Sequence, residues 1–279
     1  MKQLLLRTIT GSILLSILLT TSQAQQLRVP LSATAPFVAA YSAKEADVFS
    51  FAANQAALAN ITSASVGFYA EKRFLLQELS FYGLALALPT SSGQFGLTAR
   101  YLGHSAYNEA SAGLAYGRKL SALVDIGAQF TYHTQKAAAQ GTASAVYAEA
   151  AALFHLSKQV HAGLQVSNPT SVRLGKEGGE QLPFMYTAGV GYEVSDRFFV
   201  GGELQKRQGA ALGVNAGMQY RFDNRLWART GFRSVTDSYY LALGAGLKFA
   251  KLEAMACVHP QLGITPALQL VFTSKEKTP

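Results

Sequence analysis

Few residues of this chain could carry chemistry, and the most suggestive spacing is that of His155 and Ser157. A histidine beside a serine can activate its hydroxyl as a nucleophile, provided that a third polar group orients the imidazole. Here the pair runs directly into the short turn Ser-Lys-Gln, and no Asn-Gly follows Ser157. We therefore predict no catalytic residue and no enzymatic activity, and we interpret His155 as a polar residue at the end of a strand.

Metal chemistry has little support in the sequence. Cys257 and His259 could supply two ligands at most, and no other group of histidine, cysteine and acidic residues has metal-ligand spacing. The sequence predicts no metal site and no cofactor. Because Cys257 is the only cysteine, no intramolecular disulfide can form.

The charge composition points away from a soluble protein. The formal net charge is +8, which could suggest a nucleic-acid partner. The basic residues nevertheless lie mostly at predicted strand ends and turns, so we predict no nucleic-acid binding. Charged residues make up only 14% of the chain, against about 25% in typical soluble proteins. Much of the outer surface is therefore expected not to face water.

The elements that would position the polar side chains show a two-residue period. In residues 239–249, Leu241 and Leu243 alternate with Tyr240, Ala242 and Gly244. Side chains of a strand point alternately to its two faces, so one face here is apolar and the other is small or polar. This facing predicts that Ala245→Arg is costly in lipid and that Gly244→Ser is much milder.

The same period recurs along most of the chain and predicts about fourteen strands of roughly 9–11 residues each. The predicted strands centre near Val66, Leu84, Leu97, Leu114, Ile126, Ala150, Leu164, Ala188, Gly202, Ala216, Thr230, Ala245, Ala256 and Leu268. Short turns alternate with mostly longer links, such as 104–109, 136–143 and 168–182. We predict an all-β fold, a transmembrane antiparallel β-barrel whose apolar faces meet lipid and whose glycine-rich polar faces line the lumen. The alternative is a soluble β-sandwich or a lipid-binding periplasmic β-protein, which explains the alternation but not the low charge.

Charged and histidine side chains fall on, or near the ends of, the predicted lumen faces. They are Asp125, His133, Glu149, Glu193, Glu203, Arg221, Arg229, Arg233, Lys248, Glu253 and His259. Buried charges must be paired or hydrated. We interpret them as a cross-strand network that packs a closed lumen, and the alternative is a polar channel or ligand path.

The N-terminus divides into two segments ahead of the barrel. Residues 1–24 have the layout of a secretory signal peptide, with a basic start, an apolar stretch and small residues at the end, so cleavage is predicted between Ala24 and Gln25. Residues 25–60 lack the two-residue period over most of their length and are predicted to form a plug-like segment. Residues 61–279 are predicted to form the barrel, which places the protein in the outer membrane.

Residues 36–61 resemble the N-terminal motif of FadL-like barrels and of the PorV/PorQ family of Bacteroidetes. The motif begins with Phe-Val-Ala, matched from Phe37, continues to an acid, matched by Asp47, and ends in Asn-Pro-Ala-Gly-Leu-Ala, matched in part by Asn54 and Leu58. Residue Gln55 stands where the family has proline. Further similarity extends to the "VSNPT" loop with the strand after it and to the closing hairpin. The four matching residues become candidates for structural or gating roles.

Two functions follow from this resemblance. The PorV/PorQ similarity implies an interaction protein of type IX secretion, whose partners are secretion-system components or secreted cargo. The FadL similarity implies the alternative, a transporter that carries a small hydrophobic ligand across the outer membrane. An apolar pocket beside residues 37–60 would favour transport, whereas a tightly filled lumen would favour interaction. In both cases outer-membrane lipid is the expected surroundings.

Overall fold

Fourteen antiparallel strands close into one barrel in the computed structural model, which describes residues 38–139, 141–175 and 179–274. Each strand pairs with its neighbours in sequence, and the last strand pairs with the first. All of the predicted strand centres lie within observed strands. The predicted all-β antiparallel barrel is therefore confirmed. Among the described residues, no helix has both the length and the apolar character needed to cross a membrane.

The strand bounds follow the alternating stretches of the sequence. The strands are β1 (Ser65–Lys72), β2 (Ser80–Thr90), β3 (Gly93–Gly103), β4 (Tyr107–Lys119), β5 (Val124–Ala137), β6 (Gly141–His155), β7 (Val160–Ser167), β8 (Met185–Glu193), β9 (Phe198–Arg207), β10 (Leu212–Arg221), β11 (Leu226–Arg233), β12 (Ser238–Gly246), β13 (Ala250–His259) and β14 (Gly263–Thr273). Short 3₁₀ helices lie at Ser50–Ala52, Gln55–Asn60, Arg73–Leu75 and Gln77–Leu79.

The two faces of the wall differ as the alternation predicts. On β5, Ile126 and Phe130 are 39% and 66% exposed, whereas Asp125 and Gln129 are 0% and 2% exposed. The barrel therefore carries large apolar side chains outside and polar ones in its lumen. Closure pairs the backbone of every strand on both sides, which is the condition for a sheet to lie in hydrocarbon.

The predicted loop lengths are wrong at two links. Strands β4, β5 and β6 have 13, 14 and 15 residues, more than the predicted nine to eleven, because residues expected in loops extend the ladders. The links 104–106 and 138–140 are consequently as short as the turns at the opposite end. Longer connections remain at 73–79 and 168–184. We call the end of the barrel that carries these two connections the loop end, and the other the turn end.

The expected tolerance of Gly244 is also wrong. A Cβ at Gly244 would overlap the indole ring of Trp227, which fills the lumen beside this glycine. Trp227 is held there by donating its indole N–H to Glu253. Gly244→Ser therefore forces a large buried ring to move, and it is no mild control for a substitution on the lipid side.

The buried apolar residues lie inside the barrel rather than between two layers. One cluster joins Val48, Phe51 and Leu58 from the segment before β1 to small residues of the wall, Ala85 on β2 and Ala115 on β4. The segment that precedes the barrel is thus packed within the lumen, and it organises the candidate site.

Candidate functional site

The candidate site is built around residues 38–61, here called the inner segment, which enter the barrel at its turn end. Lys44 Nζ donates to Asp196 Oδ1 in the β8–β9 turn at 2.5 Å. This hydrogen bond holds the pKa of the Asp196 carboxyl below its ordinary value. Because this pair is exposed at a turn, the ion pair contributes little to stability. Its value is that it shows the inner segment to lie beside the β8–β9 turn.

Local chemistry explains the fold of the inner segment. Asn54 is fully buried and precedes the 3₁₀ helix Gln55–Asn60, where its Oδ1 accepts from the Ala56 N–H at 3.0 Å. Asp47 accepts from the Phe49 N–H at 2.8 Å through one oxygen. Short side chains with a terminal oxygen suit both roles because they reach backbone donors two residues on.

The same two residues also contact the wall. Asn54 Nδ2 donates to the carbonyl oxygen of Leu164 at 3.3 Å, and Gln269 Nε2 donates to Asp47 Oδ2 at 3.1 Å. Leu58 is fully buried in the lumen cluster. Of the four residues singled out from the sequence motif, the structure thus brings three into the lumen. Phe37 lies outside the described residues, as do the predicted signal segment and its cleavage site between Ala24 and Gln25.

Glycines on the inward face of the wall make room for the inner segment. At each of these glycines a Cβ would approach an atom of the segment more closely than real Cβ atoms do. The positions are Gly67, Gly96, Gly117, Gly127, Gly163, Gly189, Gly191 and Gly201. At Gly127 and Gly191 the obstructing atoms belong to the backbone of Gln55 and Tyr41. Seven strands therefore lack side chains where the segment passes.

Polar contacts complete the attachment of the inner segment. Tyr41 donates its hydroxyl to Glu203 at 3.1 Å, and Ser42 donates to Glu193 at 2.5 Å. Glu45 accepts from both Gln219 and Arg221. Tyr41 is fully buried, so its hydroxyl depends on Glu203 as a hydrogen-bond partner.

These anchoring residues were missing from the sequence prediction. Tyr41, Ser42 and Glu45 lie in the predicted plug-like segment, but nothing in their spacing shows which wall residues they meet. The sequence held only an indirect sign that a segment is attached inside the barrel. Several inward faces of the wall carry glycine where a filled lumen would otherwise need side chains.

The structure places His155 in a polar cluster at the turn end rather than against Ser157. Its Nε2 lies 2.8 Å from Asp125 Oδ2, and its Nδ1 lies 2.8 Å from Nδ1 of His161. Asp125 Oδ2 also accepts from the amide of Asn60, at the end of the inner segment, at 2.8 Å. If a neutral His155 donates from Nε2 to the Asp125 carboxylate, its Nδ1 accepts from His161. His155 was singled out from the sequence but His161 was not, and only the pairing of β6 with β7 joins the two.

Ser157 stabilises a turn. Its Oγ accepts from the backbone N–H groups of Gln159 and Val160 at 3.1 and 3.0 Å, which closes the β6–β7 turn. Both ring nitrogens of His155 are engaged by other partners, so neither side chain is arranged for nucleophilic catalysis. Within the described ranges, no group of three or more histidine, cysteine or acidic residues could hold a metal ion.

We expect Ser157→Ala to leave function and membrane abundance unchanged and to lower the free energy of unfolding by no more than about 1 kcal/mol, since only turn hydrogen bonds are lost. Complementation of a deletion strain and urea unfolding in detergent measure the two effects. Ser195→Ala is the matched control, because Ser195 accepts the corresponding two N–H groups in the β8–β9 turn. Loss of complementation by the Ser157 variant alone would revive an enzymatic role.

The remaining lumen residues form a cross-strand network. Arg229 pairs with Glu253 at 3.3 Å, and its Nε donates to Gln219 at 2.5 Å. Arg73, which is fully buried in the 73–79 connection, donates to Glu71 at 2.7 Å. The interpretation of the inward charges as a packing network thus fits these pairs. Lys248 differs, because it lies in the exposed β12–β13 turn beyond the end of β12.

Comparison with known proteins gives the fold a context. No protein-family model and no curated protein matches the chain. Among solved structures, the CymD monoaromatic hydrocarbon channel matches with a TM-score of 0.60 and 12% identity over 82% of this chain and 93% of that chain. The Ralstonia pickettii toluene transporter TbuX matches with a TM-score of 0.56 and 11% identity over 81% and 92%. The Acinetobacter baumannii outer-membrane protein Omp33 matches with a TM-score of 0.51 and 9% identity over 76% and 98%. At these identities the likenesses show the fold alone, that of an outer-membrane β-barrel.

Proposed function

We propose that the protein is an outer-membrane channel for small hydrophobic molecules, and that the inner segment is its plug. The observation that carries this proposal is that residues 38–61 cross the lumen without joining the sheet. The segment contacts the inward side of strands on opposite parts of the wall, from Gly67 on β1 to Gly189 on β8. A chain segment in this position obstructs any path through the barrel.

The attachment of the segment suits a plug that can move. Its polar contacts with the wall are side-chain hydrogen bonds and ion pairs, such as Glu45 with Arg221, and none is covalent. Each can exchange for water when the segment shifts. The segment supplies no strand to the wall, since β1 starts at Ser65 and pairs with β2 and β14 along its length.

The choice of cargo is supported by the structural neighbours. CymD is described as a monoaromatic hydrocarbon channel and TbuX as a toluene transporter, and the barrel of this chain spans nearly the whole of each. The proposal includes export by residues 1–24 with cleavage between Ala24 and Gln25. It also assigns 25–60 to the plug and 61–279 to the barrel.

A second candidate is the interaction protein that the PorV/PorQ resemblance implies, with secretion-system components or cargo as partners. The observation in its favour is the dense packing of the lumen, where the inner segment and buried ion pairs occupy the interior. The structural neighbours lend it no support, so transport is the preferred proposal.

Toluene uptake tests the proposal. We expect the intact protein to raise toluene oxidation several-fold in a Gram-negative host that lacks its general porins and carries a cytoplasmic toluene oxygenase. Small polar solutes should stay excluded, because the plug and the lumen charges close the water path. Deleting residues 38–60 should admit polar solutes as well, since the segment no longer obstructs the lumen.

Heat-modifiable migration on gels provides the control that the deletion variant still forms a barrel. Unchanged toluene oxidation by the intact protein, at normal membrane abundance, would contradict the transport proposal. Loss of membrane insertion on deletion would instead show that the segment is needed to build the wall.

A further inference from the structure

A second region of the lumen lies beyond the inner segment, toward the loop end of strands β2 to β6. It contains a cavity with about 310 Å³ of space between atoms, part of it open to solvent. Phe81, Leu102 and Tyr147 form apolar parts of its lining. Each of the three is less than a tenth exposed, so the apolar part of the lining is packed against other side chains.

Arg100 stands out among the polar residues of this cavity. It points into the lumen from β3 and is half-buried, and within the described ranges its guanidinium has no hydrogen-bond or ion-pair partner. Other lumen arginines have an acid beside them, such as Arg73 with Glu71 and Arg229 with Glu253. A half-buried cation that is not ion-paired within the chain can take up an anion from outside it, although Glu109 lines the same cavity.

The neighbours of Arg100 extend its donor surface across the sheet. Register places Arg100 opposite Ser111 on β4, and Ser111 opposite His133 on β5. All three residues line the cavity. A guanidinium and a hydroxyl on adjacent strands can together bind one carboxylate, because the planar guanidinium fork matches its two oxygens.

The nearby acid limits the charge of the ligand. Glu109 also lines the cavity, where it accepts from the Tyr107 hydroxyl at 2.7 Å and lies 4.0 Å from His133. Its negative charge repels an anion with two charges more than an anion with one. The cavity therefore favours a monoanion with a flat apolar body.

Resting on the proposed channel function, we propose that this cavity binds a small aromatic carboxylate. The carboxylate lies on Arg100 and Ser111, and the ring packs against Phe81, Leu102 and Tyr147. The side chains close around the cavity and leave too little open space for a ring in the arrangement seen here. Binding accordingly requires the long Arg100 side chain to swing and clasp the carboxylate as the ring enters.

Benzoate and benzamide test this proposal on the purified full-length barrel in detergent, with affinities measured by titration calorimetry or ligand-observed NMR. The two compounds share a shape and differ in charge. We expect benzoate to bind about tenfold more tightly than benzamide, as a charge-assisted hydrogen-bond pair would provide. Arg100→Gln should abolish that preference, and Ser111→Ala should reduce it by a smaller factor.

Arg207→Gln is the matched control. Arg207 is the last residue of β9, faces the same side of the wall and lies outside the cavity lining. This variant should keep the preference for benzoate. Equal affinities of the two compounds for the unchanged protein, or equal effects of the two arginine variants, would overturn the proposal. Failure of the channel function is distinguishable, because it appears as absent toluene uptake by the unchanged protein whatever the benzoate affinity.

Discussion

Replacing Gly127 or Gly191 by alanine is expected to displace the inner segment and open the lumen. The added Cβ would overlap the backbone of Gln55 or Tyr41, which cannot rotate away as a side chain can. Overpacking of this kind costs about 1–3 kcal/mol, enough to shift the segment toward a released state by about fivefold to about a hundredfold. We expect the double variant to show raised conductance in planar bilayers and faster proteolysis within residues 38–61.

Gly83→Ala is the matched control for these variants. Gly83 also faces the lumen, but its Cβ would meet Phe81 and Tyr69 at an ordinary contact distance of 3.5 Å. This variant should conduct and resist protease as the unchanged protein does. Equal conductance of the double variant and the Gly83→Ala variant would refute the role of Gly127 and Gly191 in making room for the segment, provided that both variants are heat-modifiable and present at normal levels.

Leu241→Arg is expected to destabilise the barrel by about 2–4 kcal/mol in lipid vesicles, because it places a charge on the lipid face near mid-membrane. Leu241 is 55% exposed and lies near the middle of β12, between Thr230 on β11 and Ala256 on β13. Reversible urea unfolding in vesicles measures the change in the free energy of unfolding.

Ala245→Arg serves as the depth control on the same strand and face. Since β12 ends at Gly246, Ala245 lies close to the membrane interface, where an arginine costs about 0–1 kcal/mol. This expected cost is smaller than the one predicted from the sequence, because the sequence prediction placed Ala245 at the centre of a strand. Equal costs at the two positions would mean that β12 does not cross the bilayer as described.

The barrel itself was predictable because strand alternation is a local property. Phe130 and Gln129 point to opposite faces whatever the rest of the chain does, and lipid outside the barrel rewards the apolar face directly. The number of strands and the facing of their side chains both follow from such short-range patterns. The same patterns left the strand ends less certain, since polar residues near 104–109 and 136–143 suit both a loop and an extended ladder.

The candidate site was decided by contacts between residues distant in sequence. His155 meets His161 and Asp125 only through the pairing of three strands, and that pairing diverts it from Ser157. Glu45 meets Arg221 across most of the chain length. Periodicity cannot show these partners, because it assigns a side chain to a face without saying what lies opposite.

What the sequence determined by itself is therefore the wall: its strands, its two faces and its surroundings of lipid. Only the tertiary structure decided how the lumen is filled. The inward glycines have meaning only once the backbone of Gln55 and Tyr41 is seen to pass beside them. Arg100 likewise cannot be distinguished from other lumen arginines until closure of the barrel shows which of them are ion-paired. The physical reason is that the side chains of a strand alternate between its two faces, so a short stretch of sequence shows which residues share a face. Packing inside a closed barrel depends instead on all fourteen strands at once.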